Sequence, residues 1–298
     1  MKLKKILAAM LSVLMILALT GCGEEKADVE KYSVKIGMLE YMNSSEQQFD
    51  DFMEKIAETF SLRTTPHEAV FFDNLNAMQM AYNAGQIDEI STYTSVAYYL
   101  AARNPNVAIL KDHTMEFVDA FCLAMRESDA DLFKQVDEAV KEMRDDGTLE
   151  SLEKKYIKDL KAKDEPEAVE IEKFEGADTI KVAITGDLPP IDLILADGKP
   201  AGFNTAVLSE IGKRLQKNIE LVQIESAARA AALESGRVDI SFWAIVPMSE
   251  IIPANADKPD GVVLSTPYYR GTIIHVGFDG EKIDTTAGLG DVVGNLAQ

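Results

Sequence analysis

Cysteine, histidine and tryptophan are scarce in this chain of 298 residues, which has two cysteines, three histidines and one tryptophan. The histidines, His67, His113 and His275, do not have the spacing of metal ligands, so the sequence predicts no metal site. The chain also lacks a Gly-x-Ser-x-Gly elbow, a glycine-rich phosphate loop and a paired cysteine and histidine nucleophile pattern. We therefore expect a protein that is not an enzyme and that uses no cofactor.

The amino terminus contains a long, unbroken apolar run, in "MKLKKILAAMLSVLMILALTGC". The basic start followed by apolar residues and a small-residue cleavage site predicts a signal peptide over residues 1–21. The ending Leu19-Thr20-Gly21-Cys22 resembles the bacterial lipobox, which implies cleavage before Cys22 and attachment of lipid to its thiol. The alternative is an ordinary export signal in which Cys22 is incidental. We expect an extracytoplasmic protein, anchored by lipid to the outer face of the cell membrane.

Positive charge is in short supply, with 30 basic against 50 acidic residues and a formal net charge of −20. Such acidity opposes binding to nucleic acid or to anionic lipid headgroups, so we expect no nucleic-acid partner. The membrane contact would then come from the lipid on Cys22. Cys122 lies in the apolar run "FVDAFCLAM", which predicts a buried structural thiol.

Strand and helix patterns alternate along the chain, which predicts an α/β fold. "YSVKIGML" is typical of a buried strand, and the amphipathic helix after it has Ser44 or Ser45 as its N-cap. A charged segment, residues 161–178, resembles a linker, and the alternation restarts at "TIKVAITG".

One helix-to-strand junction occurs twice, as "AYNAGQIDEIS" from Ala81 and "ALESGRVDIS" from Ala232. We expect Gly85 and Gly236 to adopt the left-handed conformation that ends each helix, with the following apolar residues entering a sheet. Such junctions are common in α/β proteins, so the repetition alone is weak support for two similar lobes.

The neighbouring residues are more specific. "LPPIDLILADGKPAGFNTAVLSEIGKRL", "IELVQI", "AALESGRVDI" and "STPYY" resemble, in that order, the opening half of the family 3 solute-binding proteins, the amino-acid type used by ABC importers. Earlier stretches, "VKIGML…SSEQQF", "AGQIDEISTYTSVAYYL" and "FCLAMRESDADLFKQVDEAVKEMRDDGTLESLEKKY", resemble the remainder. The resemblance implies a bilobed α/β fold of the type II periplasmic-binding-protein kind, with two parallel or mixed sheets covered by helices and a hinge between lobes.

The two halves stand in reverse order relative to that family. Either the chain is a circular permutation or it is a tandem product that has been cut short, as the tail "TTAGLGDVVGNLAQ" suggests; we favour the permutation. The predicted segments are a signal peptide (1–21), a tether (22–32), a lobe like the family's second (33–115), the return segment of the first lobe (116–160), a linker (161–177), the front half of the first lobe (178–280) and a tail (281–298).

The resemblance also implies a ligand between the lobes, with an arginine for a carboxylate, an aspartate for an ammonium group and aromatic side chains. Those positions are replaced here. Leu188 and Ser226 stand where the family usually has aromatic residues, Ile251 stands close to the position of the family's arginine, and Tyr93 stands close to that of its aspartate. Losing a charge-assisted hydrogen bond weakens binding by about 1.5–3 kcal/mol, so a standard α-amino acid is not the expected ligand.

Six residues remain as candidate ligand contacts, and four of them have a simpler structural explanation. Trp243 would otherwise be a packing residue, Asp187 and Asp192 would solvate or cap a turn, and Ser44 would only cap a helix, whose N-terminus could take an anionic group. The six candidates are Ser44, Ser45, Tyr93, Asp187, Asp192 and Trp243.

The predicted function is that of a substrate-binding lipoprotein of an ABC importer, which binds a small polar, amino-acid-like solute and presents it to the permease. Two alternatives remain open. One is a degenerate or truncated module that transports nothing and acts as a sensor or accessory. The other is a dehydratase-like enzyme on the same fold.

Overall fold

The computed structural model describes residues 34–43, 67–110, 117–161, 163–248, 252–280 and 282. Among these residues the strands are β1 (Val34–Leu39), β2 (His67–Phe72), β3 (Glu89–Tyr93), β4 (Ala108–Leu110), β5 (Phe117–Arg126), β6 (Thr179–Ile184), β7 (Asp187–Leu188), β8 (Asp192–Ile194), β9 (Pro200–Ala201), β10 (Asn218–Gln223), β11 (Ile240–Pro247), β12 (Val262–Leu264) and β13 (Tyr269–Gly277). The α-helices are α1 (Leu75–Asn83), α2 (Thr94–Arg103), α3 (Ala130–Asp145), α4 (Thr148–Glu153), α5 (Phe203–Leu215) and α6 (Arg229–Glu234). A π-helical turn, Lys154–Lys158, follows α4, and a 3₁₀ turn, Ser226–Ala228, leads into α6.

One mixed sheet runs through the described residues, in the order β10-β6-β11-β5-β13-β3-β1-β2. Its two ends are parallel, β10-β6-β11 on one side and β3-β1-β2 on the other. Its centre is antiparallel, because β5 pairs with β11 and β13, and β13 pairs with β3. The predicted α/β class with mixed, helix-covered strands is confirmed, and the two parallel groups are joined through β5 and β13 into one continuous sheet.

Strand β5 and the helices after it assemble with elements that come later in the chain. β5 is antiparallel to both β11 and β12, and α3 and α4 pack against α5. The buried apolar residues of α3 are Val136, Ala139, Val140 and Met143, at the spacing of one helix face. We call residues 34–110 the first part and residues 117–280 the second part.

The repeated junction has the predicted backbone conformation in both copies. Gly85 follows the end of α1 with φ 68°, and Gly236 follows the end of α6 with φ 71°. The amide of Gly85 donates to Tyr82 O and that of Gly236 to Leu233 O, which closes each helix end. The two glycines are required because non-glycine residues rarely adopt positive φ.

The aspartate of each copy makes the same pair of bonds to the neighbouring parallel strand. The amide of Lys35 donates to Asp88 Oδ2 at 2.8 Å, and the Asp88 amide donates to Lys35 O at 2.8 Å. In the other copy the Lys181 amide donates to Asp239 Oδ2 at 2.9 Å, and the Asp239 amide donates to Lys181 O at 2.8 Å. The echo is therefore a structural repeat, in which an aspartate fixes the start of a strand against the first strand of its own group.

The segment predicted as a linker lies along the second part. The Val169 amide donates to Pro200 O at 2.8 Å. Further along, the Phe174 amide donates to Asn218 Oδ1 at 2.8 Å and Asn218 Nδ2 donates back to Phe174 O at 3.0 Å. These bonds hold the described residues of the segment beside β9 and β10.

Several predictions fall outside the described residues, namely the signal peptide, the tether with Cys22, Ser44, Ser45, Ile251 and the tail from residue 283. In the portion of the chain that the structure covers, no helix is both long and apolar enough to cross a membrane. Cys122 is buried as predicted, and burial raises the pKa of its thiol to about 12.

Candidate functional site

Strand β11 is distorted where it faces the ends of β1 and β3. Its register on β5 shifts between Ser241 and Ala244, and Trp243 has φ 57°, which is unusual for a residue with a side chain. A bulge of this kind turns backbone carbonyls and side chains away from their usual directions. Residues held in strained backbone conformations cluster at functional sites, so the bulge marks a candidate site.

Aromatic residues from three strands meet at the bulge. The Trp243 ring is 2 % exposed, and its centroid lies 6.2 Å from that of Tyr93 in an edge-to-face arrangement. Phe121 lies 4.7 Å from Tyr93, also edge to face. The Tyr93 hydroxyl donates to Asp119 Oδ2 at 2.9 Å, so a buried carboxyl group lies directly against the aromatic cluster.

Arg229 at the start of α6 is fully buried behind Trp243 and satisfies the carbonyls of the bulge. Its Nη1 donates to Phe242 O at 3.0 Å and to Trp243 O at 2.9 Å, and its Nε donates to Ser226 O at 3.2 Å. Its guanidinium carbon also lies 4.7 Å from the centroid of the Trp243 ring. The fourth bond, from Nη2 to Glu40 O at 3.3 Å, reaches the first part of the chain.

Asp257, which has the opposite charge to Arg229, also makes hydrogen bonds to both parts of the chain. Its Oδ1 accepts from the Met42 amide at 2.6 Å and the Asn43 amide at 3.0 Å, both just beyond β1. Its Oδ2 accepts from the Ile245 amide in β11 at 3.3 Å. We call Tyr93, Asp119, Arg229, Trp243 and Asp257 the junction cluster.

Burial governs the charges of the junction cluster. It raises the pKa of Asp119 to about 6, with the Tyr93 hydrogen bond opposing the rise and Asp257 adding to it. Burial likewise raises the pKa of Asp257 to about 6, against the attraction of Arg229 and the backbone amides. The pKa of Arg229 is lowered by burial, with the charge of Asp257 opposing.

An open cavity of about 470 Å³ lies between the two parts of the chain, beside α1 and α2 on one side and the β7–β8 hairpin on the other. Asp187 and Arg103 are the charged residues of its wall, and Arg103 lies against the Tyr99 ring with its guanidinium carbon 3.3 Å from the centroid. The wall is formed by Asn76, Gln79, Tyr99, Leu100, Arg103, Asn104, Pro105, Gly186, Asp187, Pro189, Leu193 and Ile194.

The two predicted aspartates of this hairpin have different surroundings. Asp187 Oδ2 accepts from the Leu75 amide at 2.7 Å, so it covers the N-terminus of α1 across the cavity. Asp192 is fully buried and accepts from the Gly186 amide at 2.5 Å and from Thr185 Oγ1 at 3.2 Å. Burial raises the pKa of Asp192 to about 7 and also raises that of Asp187.

The structure brings Tyr93 and Trp243 together at the junction cluster, and it places Asp187 at the wall of the cavity with Asp192 in the strand next to it. Sequence reasoning missed Asp119, Arg229 and Asp257. Two of these had a signal, because Asp119 interrupts the apolar run "FVDAFCLAM" and Arg229 interrupts "SAARAAAL". In the described ranges no group of three or more histidine, cysteine, aspartate or glutamate side chains is placed to hold a metal ion.

Residues 180–279 match the model of the family described as bacterial extracellular solute-binding proteins, family 3, which confirms the resemblance drawn from the sequence for that part of the chain. No curated protein matches the chain.

Solved structures similar to this chain include the ligand-binding component of an ABC-type import system from Staphylococcus aureus with zinc bound, at 14% identity over 89% of this chain and 69% of that one, with a TM-score of 0.42. The GluR0 ligand-binding core in complex with L-glutamate has 11% identity over 89% and 92% of the two chains and a TM-score of 0.40. The periplasmic aliphatic sulphonate binding protein SsuA from Escherichia coli has 13% identity over 83% and 65%, with a TM-score of 0.36. Scores of this size carry no argument about ligand.

Proposed function

We propose that this chain, whose residues 180–279 match the model of family 3 of the bacterial extracellular solute-binding proteins, binds a small polar solute between its two parts and presents it to the permease of an ABC importer. The observation that carries the proposal beyond the family is the cavity of about 470 Å³ between residues 76–105 and 186–194. Small-molecule sites have volumes of roughly 300–1,000 Å³ and a few polar groups on a largely apolar wall.

The wall of the cavity supports an amino-acid-like or related solute with hydrogen-bonding groups. Asp187 offers a carboxylate, and Asn76, Gln79 and Asn104 offer amides that both donate and accept. Tyr93 and Trp243 belong to the junction cluster, which we propose as the support that sets the distance between the two parts. Ser44 and Ser45 remain candidates for an anionic group.

Solute binding is tested by a thermal-shift screen of the purified chain against amino acids, small peptides, polyamines and carboxylates. We expect one class to raise the melting temperature, because a ligand that binds only the folded state stabilises it by RT ln(1 + [L]/Kd). Leu193→Tyr, which places a larger side chain in the wall, should abolish the shift, whereas Leu195→Tyr, in the turn beyond the hairpin, should retain it. No shift with any class, or equal shifts in both variants, would overturn the proposal.

The proposed location is extracytoplasmic, with attachment to the membrane through lipid on Cys22. The support is the leader sequence and its lipobox-like ending. Cys22→Ala should release the protein from the membrane fraction or block its processing, and an unchanged membrane fraction would refute the lipid assignment.

We also propose that the chain order is a circular permutation of one bilobed body. The support is that residues 117–126 pair with residues 240–247 and that α3 packs on α5, so the return segment and the front half assemble together. A chain rebuilt to start at residue 178, with its new ends opened in the linker, should fold and keep the same solute. A rebuilt chain that does not fold would favour a truncated tandem.

A second candidate function is favoured by one observation. Arg229 and Asp257 make their hydrogen bonds to backbone groups of this chain, so these two charged side chains need no ligand to be satisfied. A binding module that transports nothing and acts as a sensor or accessory fits this arrangement. This candidate would be supported if no solute raised the melting temperature in the screen and if deletion of the protein gave a phenotype that does not depend on the permease.

A further inference from the structure

The contact between the end of β1 and strand β11 is made by two opposite charges that are both nearly inaccessible. Asp257 is 1 % exposed and Arg229 is 0 % exposed. Asp257 binds the Met42 and Asn43 amides on one side and the Ile245 amide on the other. Arg229 binds three carbonyls of the second part and Glu40 O of the first. Each charge therefore bonds directly to both parts of the chain.

The charges at this contact do not balance. Among the interacting titratable groups of this contact, Arg229 supplies the positive charge, and the two buried carboxyl groups are those of Asp257 and Asp119. The other titratable groups that face them are the hydroxyls of Tyr41, Tyr93 and Tyr268, whose pKa values are raised by burial, so all three hydroxyls stay neutral. One guanidinium cannot neutralise two carboxylates in a buried site, and the excess negative charge favours retention of a proton.

We propose that Asp257 and Arg229 form a clasp that closes the first part of the chain on β11 without a solute, and that closure takes up protons on Asp257 and Asp119. The clasp rests on the proposed function in one respect: a solute that binds between the two parts requires them to open and close. A proton on one carboxyl group removes the uncompensated charge, and Asp257 Oδ1 remains an acceptor for the Met42 and Asn43 amides when the other oxygen is protonated.

The sign of the pH dependence follows from the two carboxyl groups. In the closed structure burial raises their pKa values from 3.8 to about 6, and in an open form exposed to water they return towards 3.8. The closed form thus binds more protons between about pH 4 and 6, and lowering the pH favours closure. For one such group, a change from pH 7.5 to pH 5 increases the closed-to-open ratio by about tenfold.

Hydrogen exchange of the Met42 and Asn43 amides measures the clasp directly, because both amides donate to Asp257. The purified full chain, with no solute added, is measured at pH 5 and pH 7.5, and the rates are converted to protection factors that remove the intrinsic pH effect. We expect protection of both amides to be about tenfold or more higher at pH 5. The Lys217 amide, which donates to Gly212 O away from the cluster, is the internal control.

Asp257→Asn should reduce this pH dependence, and combination with Asp119→Asn should abolish it. Asp119→Asn alone should also reduce the pH dependence, and it keeps Asp257 as the acceptor of the Met42 and Asn43 amides. This variant therefore tests the clasp if the Asp257 variant does not fold. Asp260→Asn, an exposed position three residues further along, should keep the full effect. Protection that is unchanged or lower at pH 5, or a full pH effect in Asp119→Asn, would overturn the clasp.

Failure of the clasp and failure of the proposed function give different results. Acid-dependent protection in a chain that binds no solute in the thermal-shift screen supports the clasp and overturns solute binding. Solute binding with protection that does not depend on pH does the reverse.

Discussion

Replacement of Arg229 by methionine tests whether the junction cluster holds the fold together. Methionine fills much of the volume of the arginine stem but has no donor, so Arg229→Met leaves the oxygens of Ser226, Phe242 and Trp243 without the N–H groups that now reach them at 2.9–3.2 Å. It also removes the cation that faces Asp257. Exchange of a whole buried ion pair for apolar residues can be neutral, but removal of one partner leaves the other uncompensated.

The expected loss is large because Arg229 is 0 % exposed and water does not take the place of its donors freely. Each buried acceptor left without a partner destabilises by about 1–3 kcal/mol, and relaxation of the bulge recovers part of this. We expect Arg229→Met to lower the free energy of unfolding by about 3–5 kcal/mol. The loss should be smaller at pH 5 than at pH 7.5, because Asp257 then carries a proton.

The assay uses the single tryptophan of the chain. Trp243 is 2 % exposed, so its emission reports the environment of the bulge and shifts to longer wavelength on unfolding. Urea titrations of the native chain, Arg229→Met and the exposed control Arg237→Met give the three free energies, and the control should stay within about 0.5 kcal/mol of the native value. A loss below about 1 kcal/mol in Arg229→Met would show that the bulge does not depend on the guanidinium.

Three further predictions concern single positions. Asp192→Asn should reduce the decline in stability between about pH 4 and 7, because burial raises the Asp192 pKa to about 7. The folded native chain then keeps a proton that the unfolded chain releases as the pH rises. Urea titrations at pH 5 and pH 7.5 that give the same loss of unfolding free energy for the native chain and the variant would contradict this. Gly85→Ala and Gly236→Ala should each lower the free energy of unfolding by about 1 kcal/mol, because both glycines have positive φ. A Cβ at either position would meet open space, so backbone strain alone acts. Unchanged melting temperatures would contradict this prediction. Asp88→Ala should cost about 0.5–1.5 kcal/mol by removing the acceptor of a solvent-exposed strand amide. Asp239→Ala should cost more, because its carboxylate also pairs with Arg126 at 3.2 Å; a larger loss at Asp88 in thermal unfolding would argue against that difference.

The sequence was sufficient for the parts of the fold that depend on local pattern. Gly85 and Gly236 were predicted to have left-handed conformations because a helix ends and a strand begins around each, and both do. The burial of Cys122 followed from an apolar run. Periodicity and glycine position act over a few residues, so one sequence is enough to read them.

Local sequence pattern does not predict that the two groups of parallel strands pair into one sheet. This pairing depends on β13 reaching β5 on one edge and β3 on the other, which are contacts between residues more than a hundred positions apart. The role of the repeated aspartates was missed for the same reason. Asp88 and Asp239 act on strands that lie 53 and 58 positions earlier, and nothing in the quoted motif names those partners.

The sequence predicts the candidate site least completely, because the charged residues of the site do not stand at the positions where the family has them. Tyr93 was identified as a replacement for an aspartate, yet its hydroxyl is hydrogen-bonded to Asp119, a carboxyl group from another strand. Position matching cannot find a charge that enters a site from a different element. An isolated ionisable residue within an apolar run is the signal that would have found Asp119 and Arg229.

Arg229 does not restore the carboxylate-binding arginine that the sequence lacks near residue 251. A guanidinium has five N–H donors, and a bidentate contact with a carboxylate needs two of them on one side. Four carbonyl oxygens already accept from Arg229, one from Nε, two from Nη1 and one from Nη2, which leaves a single N–H. A solute carboxylate could take that position only by opening the bulge or the contact with Glu40. The cavity wall, by contrast, carries both Arg103 and Asp187, so the charges of opposite sign that an amino-acid-like solute would need are found there and not at the junction cluster.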